Sequence, residues 1–282
     1  PELEREIVQT TAANDPWNLW VFTVGGGGSL DGERRERNRS FDGELEANRT
    51  AENLKLNFSV SGEFDRSEDD LSDEGEPPNW FVNTAHNFEA NQRAVWSLTD
   101  HWSFGLRSSQ SSSTFLNQEL TIRGGPAIEY SLYPYAESTR RQLKLLYAVE
   151  TASFNYQDIT IFDRLSEVRP GHRLEINLEV QQPWGTVESS LDATQFLHDL
   201  AKHRINLSTE LDLRIFRGFE LSLEASVSRI KDQLFLAQRD LTPEEILIRR
   251  RQLGTDYRYE TFIRFQYRFG SKLANVVNPR MR

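Results

Sequence analysis

The residues able to do chemistry are few, and their spacing limits what they can do. His101 and Ser103 stand two apart in "HWS" (101–103), a base and a hydroxyl nucleophile. His86, His172, His198 and His203 show no metal-ligand spacing. The stretch 65–76 carries Asp65, Glu68, Asp69, Asp70, Asp73, Glu74 and Glu76 without EF-hand spacing, so it reads as a solvated loop with weak affinity for divalent cations at most. "GGGG" (25–28) lacks the Lys-Ser/Thr and the following helix of a phosphate loop. It reads instead as small residues within a strand, where glycine permits curvature or leaves room for something packed alongside. There is no cysteine, which excludes disulfides, thiol catalysis and Cys-zinc sites. No catalytic residues, metal or cofactor are expected, and the chain is not expected to be an enzyme.

The elements that would position these residues are strands. In "YRYETFIRFQYRFG" (257–270), Tyr257, Tyr259, Ile263, Phe265, Tyr267 and Phe269 fall on one face, and Arg258, Glu260, Arg264 and Arg268 on the other. The same alternation puts Phe41, Leu45 and Ala47 against Asp42, Glu44 and Glu46, and Leu56, Phe58, Val60 and Phe64 against Lys55, Asn57 and Glu63. It recurs at Leu174–Val180, Ile205–Ile215 and Phe219–Val227. About twelve such segments are expected, near 17–30, 38–48, 53–65, 80–98, 102–113, 116–132, 141–156, 172–182, 185–197, 203–215, 219–234 and 250–270. No helix-period segment of comparable length interrupts them, and no apolar run reaches the roughly 20 residues of a transmembrane helix.

Connections alternate short and long. "RTAE" (49–52), "TDH" (99–101), "PW" (183–184) and "FRG" (216–218) are tight, the last a three-residue hairpin with Gly218 in the left-handed position. Segments 65–79, 157–171 and 235–249 are long. In the last, "LTPEEILIRR" (241–250) reads as a short helix with Thr242 as N-cap and Pro243 in first position, a lid or a partner contact. Trp17, Trp20, Trp96, Trp102, Trp184, Tyr133 and Tyr135 gather at the tight-turn end, as an interfacial girdle would.

The face that points inward follows from size. Eight strands make an interior that side chains just fill, so a twelve-stranded apolar lumen would be too wide to pack. Hydrophobic content of 37% and the asymmetric loops agree with an inverted arrangement, apolar outside and ionic inside. The expected fold is all-β, a transmembrane antiparallel up-and-down β-barrel of about 12 strands at 17–270. It is flanked by a periplasmic segment 1–16, helical up to Pro16, and a periplasmic tail 271–282. No signal peptide is visible, and Pro1 without a Met suggests a processed or trimmed N-terminus. On this reading His86 falls on the lipid face, which calls for a bulge in its strand or a protein neighbour.

The chain resembles bacterial outer-membrane β-barrel proteins. Its final strand, "YRYETFIRFQYRFG", is similar to the C-terminal aromatic-alternating signal of such barrels, although twelve residues, "SKLANVVNPRMR", follow it. As a strand pattern over 17–270 it is loosely similar to the salt-stress-induced outer membrane protein family. The resemblance implies location in the bacterial outer membrane, contact with its lipid and insertion by the barrel-assembly machinery. Outer-membrane phospholipases are also twelve-stranded and place a His-x-Ser pair on the lipid face. Here Trp102, Phe104 and Leu106 take that face and His101 sits at the tight-turn end, so that activity is not expected.

The lumen-lining set is Glu44, Glu63, Arg93, Arg123, Glu129, Glu150, Glu175, Glu210, Arg214, Glu220, Glu224, Arg258, Arg264 and Arg268. Across the "FRG" turn Arg214 should face Glu220. Acids exceed bases on the inward face, which points to a small passive channel preferring cations. The same charges would also form a ladder that fills the lumen and rigidifies it. In that case the chain is a non-conducting barrel that anchors or scaffolds an envelope protein complex. A net charge of −10 argues against nucleic acid as a partner.

Overall fold

Period-two patterning over most of the chain yields one antiparallel sheet. The structure, a computed structural model, describes residues 15–72, 76–238 and 254–270. Its strands are β1 (Trp20–Gly32), β2 (Glu36–Thr50), β3 (Leu54–Asp70), β4 (Trp80–Ser97), β5 (Trp102–Ser113), β6 (Gln118–Ser131), β7 (Arg141–Tyr156), β8 (Ser166–Gln182), β9 (Gly185–Phe196), β10 (His203–Phe216), β11 (Phe219–Ile230) and β12 (Tyr257–Tyr267). Each pairs with its neighbours in sequence, in the order β1 to β12. The expected helices at 1–16 and 241–250 and the tail 271–282 lie outside the described residues, except for Asp15 and Pro16.

The sheet curls on itself. Arg107 of β5 reaches Glu175 of β8 across the interior at 2.6 Å, and Arg93 of β4 lines one cavity with Glu224 of β11 and Glu260 of β12. Directly opposed residues share a face, so the register carries the inside/outside pattern round the sheet. Phe58, Val60 and Phe64 oppose Ala47, Leu45 and Phe41 outside, while Glu63 opposes Asp42 inside. β1 and β12 are the two edges. Outward side chains there are barer than elsewhere: Val24 is 78% exposed and Phe265 72%, against 38% for Val60.

Several local expectations change. The turn after β10 has two residues, Arg217–Gly218, not three: Phe216 pairs with Phe219 across a register shift. Gly218 does hold a left-handed φ of 83°. Residues 65–70 and 166–171 are strand rather than loop. In 65–70 both faces carry polar groups and alternation gives no signal; in 166–171 Val168 and Pro170 alternate with Glu167 and Arg169, but Pro170 and Gly171 read as a break, and in both the hydrogen-bond ladder continues. "GGGG" lies within β1. A Cβ on Gly25 would fall 2.6 Å from Glu44 Oε1, and one on Gly27 2.9 Å from Asp42 Oδ1. The glycines thus leave space for two inward carboxylates, and on the outer side Phe41 lies against Gly28.

Candidate lumen site

From the long-loop end to the tight-turn end, the interior along β5–β11 has three layers. The first is apolar. Ala152, Phe154 and Tyr156 of β7 and Phe196 of β9 pack against Leu234 and Phe235, which follow β11, with Leu116 and Leu236 at the margin. The segment 231–238 is held there by hydrogen bonds to its main chain. Asn117 Nδ2 donates to Phe235 O at 3.0 Å and to Asp158 O at 3.0 Å. Ile161 N donates to Leu236 O and Gln238 N to Ile159 O, both at 2.8 Å.

The second layer is a charge-balanced network. Arg123 Nη1 meets Glu150 Oε1 at 2.9 Å, and Glu150 is 5% exposed. Arg173 Nη1 lies 3.2 Å from Asp192 and 3.4 Å from Glu175, which also holds Arg107. Three guanidiniums therefore face three carboxylates. This layer matches the ladder expected of charges taken out of bulk water, which need partners.

The third layer is a cavity of about 720 Å³, lined by Arg93, Glu129, Lys144, Glu175, Glu188, Glu224 and Glu260 among others. One feature distinguishes it. Glu179 opposes Glu188, Glu188 opposes Glu210, and Glu210 opposes Glu224. Four carboxylates thus stand side by side at one height across β8, β9, β10 and β11. No ion pair to any of the four is present among the described residues; Gln142 donates a hydrogen bond to Glu179. Directly opposed like charges are destabilising. A row of Ser190, Ser208 and Ser226 runs one step above it.

The remaining candidates fall as follows. Glu44 and Glu63 face inward on β2 and β3, Arg214 on β10 and Glu220 on β11. Arg214 opposes Glu220 in register, as expected, but forms no ion pair with it among the described residues. Arg264 opposes Ser222, between Glu220 and Glu224. Arg258 pairs with Glu260 of its own strand at 3.1 Å. Arg268 lies just past β12, its N–H on Gly218 O at 2.7 Å. Phe262 opposes Glu224 and puts an aromatic ring on the cavity wall. Arg107 is a lumen residue missing from the expected set; its parity with Arg123 and Glu129 relative to the outward Phe104 and Leu106 was the available signal.

At the tight-turn end, Trp17, Trp96, Trp102 and Trp184 are exposed. Trp20 stacks on Phe22 at 5.7 Å, Trp102 packs on Tyr130 at 4.8 Å, and the Arg141 guanidinium lies 4.3 Å over Tyr133. Tyr135 departs from the girdle. Its hydroxyl turns inward, 2.8 Å from Ser103 Oγ, and donates to Glu129 at 3.2 Å. Burial raises its pKa, so it stays a protonated donor; the Ser103 contact opposes that shift and Glu129 adds to it.

His101 Nδ1 contacts Ser131 O at 2.7 Å, while Ser103 contacts Tyr135, so this pair does not form a base–nucleophile contact. His86 needs no bulge, because the β3–β4 register runs unbroken past it. Thr114 Oγ1 meets its Nδ1 at 2.9 Å and Ser112 Oγ its Nε2 at 3.2 Å, on the outward face. The acidic stretch is occupied locally. Asp70 Oδ1 accepts from Ser72 N and Asn79 N, and Glu68 pairs with Arg66; Asp73 and Glu74 lie outside the described residues. Among the described residues, no group of three or more His, Asp or Glu side chains is placed to hold a metal.

No protein-family model and no curated protein matches the sequence. Several solved structures are similar in shape, three of them as follows. The NanC porin is 10% identical with a TM-score of 0.41, covering 87% of this chain and 99% of its own. The translocator domain of autotransporter NalP from Neisseria meningitidis is 11% identical with a TM-score of 0.37, covering 89% and 87%. A Pseudomonas aeruginosa FadL homologue is 8% identical with a TM-score of 0.35, covering 88% and 73%.

Proposed function

We propose that the chain is an outer-membrane barrel acting as a small passive channel that favours cations. The outward apolar face and ionic interior support the membrane location, since a barrel of this strand number buries lipid contacts outside and water inside. The observation that carries the selectivity is the Glu179–Glu188–Glu210–Glu224 row, an unneutralised ring segment of the kind that concentrates cations in a pore. This reading assigns the chain no enzymatic activity and no cofactor. Its partners are outer-membrane lipid and the barrel-assembly machinery.

The alternative is a non-conducting barrel that anchors or scaffolds another envelope protein. The apolar layer beneath segment 231–238 favours it, because that layer covers the long-loop end of β6–β9. Conductance of the refolded barrel in a planar bilayer under a salt gradient separates the two. Discrete steps with a cation-shifted reversal potential support the channel. Silence from a correctly folded barrel sinks it and leaves the anchor.

A further inference from the structure

The outer wall carries a feature that neither a pore nor its girdle requires. On β2 and β3 the last outward aromatics toward the long-loop end are Phe41 and Phe64, directly opposed to each other. One outward step beyond them, roughly 7 Å along the strand, Arg39 opposes Arg66. A further step on, Arg37 opposes Glu68. Arg66 Nε donates to Glu68 at 2.9 Å, Arg37 lies 3.8 Å from the same carboxylate, and the Arg37 guanidinium stands 4.5 Å over Trp80. Arg39 is exposed and makes no ion pair among the described residues. Two of these three cations share one acid and the third, Arg39, is left without one, on the outside of a protein with net charge −10. Two guanidiniums set side by side repel each other unless an anion lies between them.

We infer that this rim is a binding site for the phosphate of an outer-leaflet lipid, held between Arg39 and Arg66 with Arg37 beside them. The inference rests on the outer-membrane reading. The height of the site selects a lipid over a soluble anion: the cations sit just above the apolar band, where a headgroup phosphate stands above its chains. Guanidinium groups match phosphate oxygens in geometry and charge. Below Phe41 and Phe64, Gly26, Gly43 and Gly62 adjoin on one outward row. A Cβ on Gly43 or Gly62 would find nothing nearer than 3.8 Å, so this shallow trough can seat an acyl chain. At the height of Phe64, His86 with Ser112 and Thr114 presents hydrogen-bonding groups. That is the level of a lipid's ester or amide linkages.

The test uses the folded full-length barrel in non-ionic micelles. It is offered phosphatidic acid, diacylglycerol with the same chains, or phosphatidic acid with millimolar inorganic phosphate. Lipid retained per barrel is counted by mass spectrometry after gel filtration. Phosphatidic acid should be retained at least about tenfold better than diacylglycerol, because charge-assisted hydrogen bonds to phosphate are lost in the latter. The double variant Arg39→Gln/Arg66→Gln should lose that preference, while Arg49→Gln, at the other end of β2, should keep it. Inorganic phosphate should not displace the lipid. Arg39→Gln alone, which breaks no ion pair among the described residues, should still lower retention should the double variant fail to fold. Equal retention of both lipids, an unaffected double variant, or displacement by inorganic phosphate overturns the site. A barrel that will not float with vesicles overturns the membrane reading as well, whereas one that floats without phosphate preference overturns the site alone.

Discussion

Two kinds of inward charge do different work. Arg173 belongs to the balanced layer, bridging Asp192, Glu175 and Glu150. Arg173→Met should leave Asp192 without its ion-pair partner in a half-buried setting, while Glu150 and Glu175 keep Arg123 and Arg107, and destabilise the fold by about 3 kcal/mol, read as a lower urea midpoint with unchanged slope. The unpaired row responds in the opposite sense. Glu188→Gln with Glu210→Gln removes repulsion between directly opposed carboxylates, so the midpoint should hold or rise while the cation-shifted reversal potential shrinks. A midpoint that fell would mean that the row has partners. Most of this arrangement was legible from parity alone, since each strand's apolar residues mark which neighbours point inward. Parity was enough to place Arg107 inward too, although the expected set omitted it. It could not place Tyr135, whose inward turn is set by the backbone of the connection and by Ser103 and Glu129 rather than by alternation. Nor could it say that His86 is satisfied, because Ser112 and Thr114 come from the next strand.

At the scale of elements, strand existence followed from the two-residue period, and β5 and β7 matched their expected limits. Strand ends were harder to read where β3 runs on through residues polar on both faces, and where β8 begins through Pro170 and Gly171, which read as a turn. Tight turns show local rules plainly. Gly218 sits at a φ of 83°, and a Cβ there would lie 2.2 Å from Arg268 O. Gly218→Val should therefore cost about 1–3 kcal/mol and loosen the β10–β11 hairpin, seen as faster amide exchange at Phe216 and Phe219. The segment 231–238 follows a different logic, because it is placed by Asn117, more than a hundred residues earlier in the chain. Asn117→Ala leaves Phe235 O and Asp158 O without that donor. Limited proteolysis should then cut near Leu234–Leu236 at least several-fold faster, with the strands still protected. An unchanged cleavage rate would show that the apolar contacts and the backbone bonds to Ile159 and Ile161 hold the segment without Asn117.

Among the described residues the molecule is a meander in which every strand is hydrogen-bonded only to its neighbours in sequence. The apolar exterior and ionic interior could be inferred from strand number and composition. The three-layered interior could not, because it depends on which side chains meet across the lumen. The order of strands also has a kinetic meaning. Hairpin contacts are short-range and form early, whereas a meeting of β1 with β12 would join the two ends of the sheet and must wait for all the rest. The entropic cost of that last encounter grows only with the logarithm of the intervening length, so it is slow rather than prohibitive. Single-tryptophan variants refolding into vesicles should show Trp96 and Trp102, on β4 and β5, reaching their final fluorescence before Trp20 on β1. Simultaneous arrival would mean concerted insertion. Until its edges meet, the half-finished sheet presents two bare backbone rims to any other strand in the membrane, so the time to closure is also the interval in which two nascent chains can be joined edge to edge by mistake.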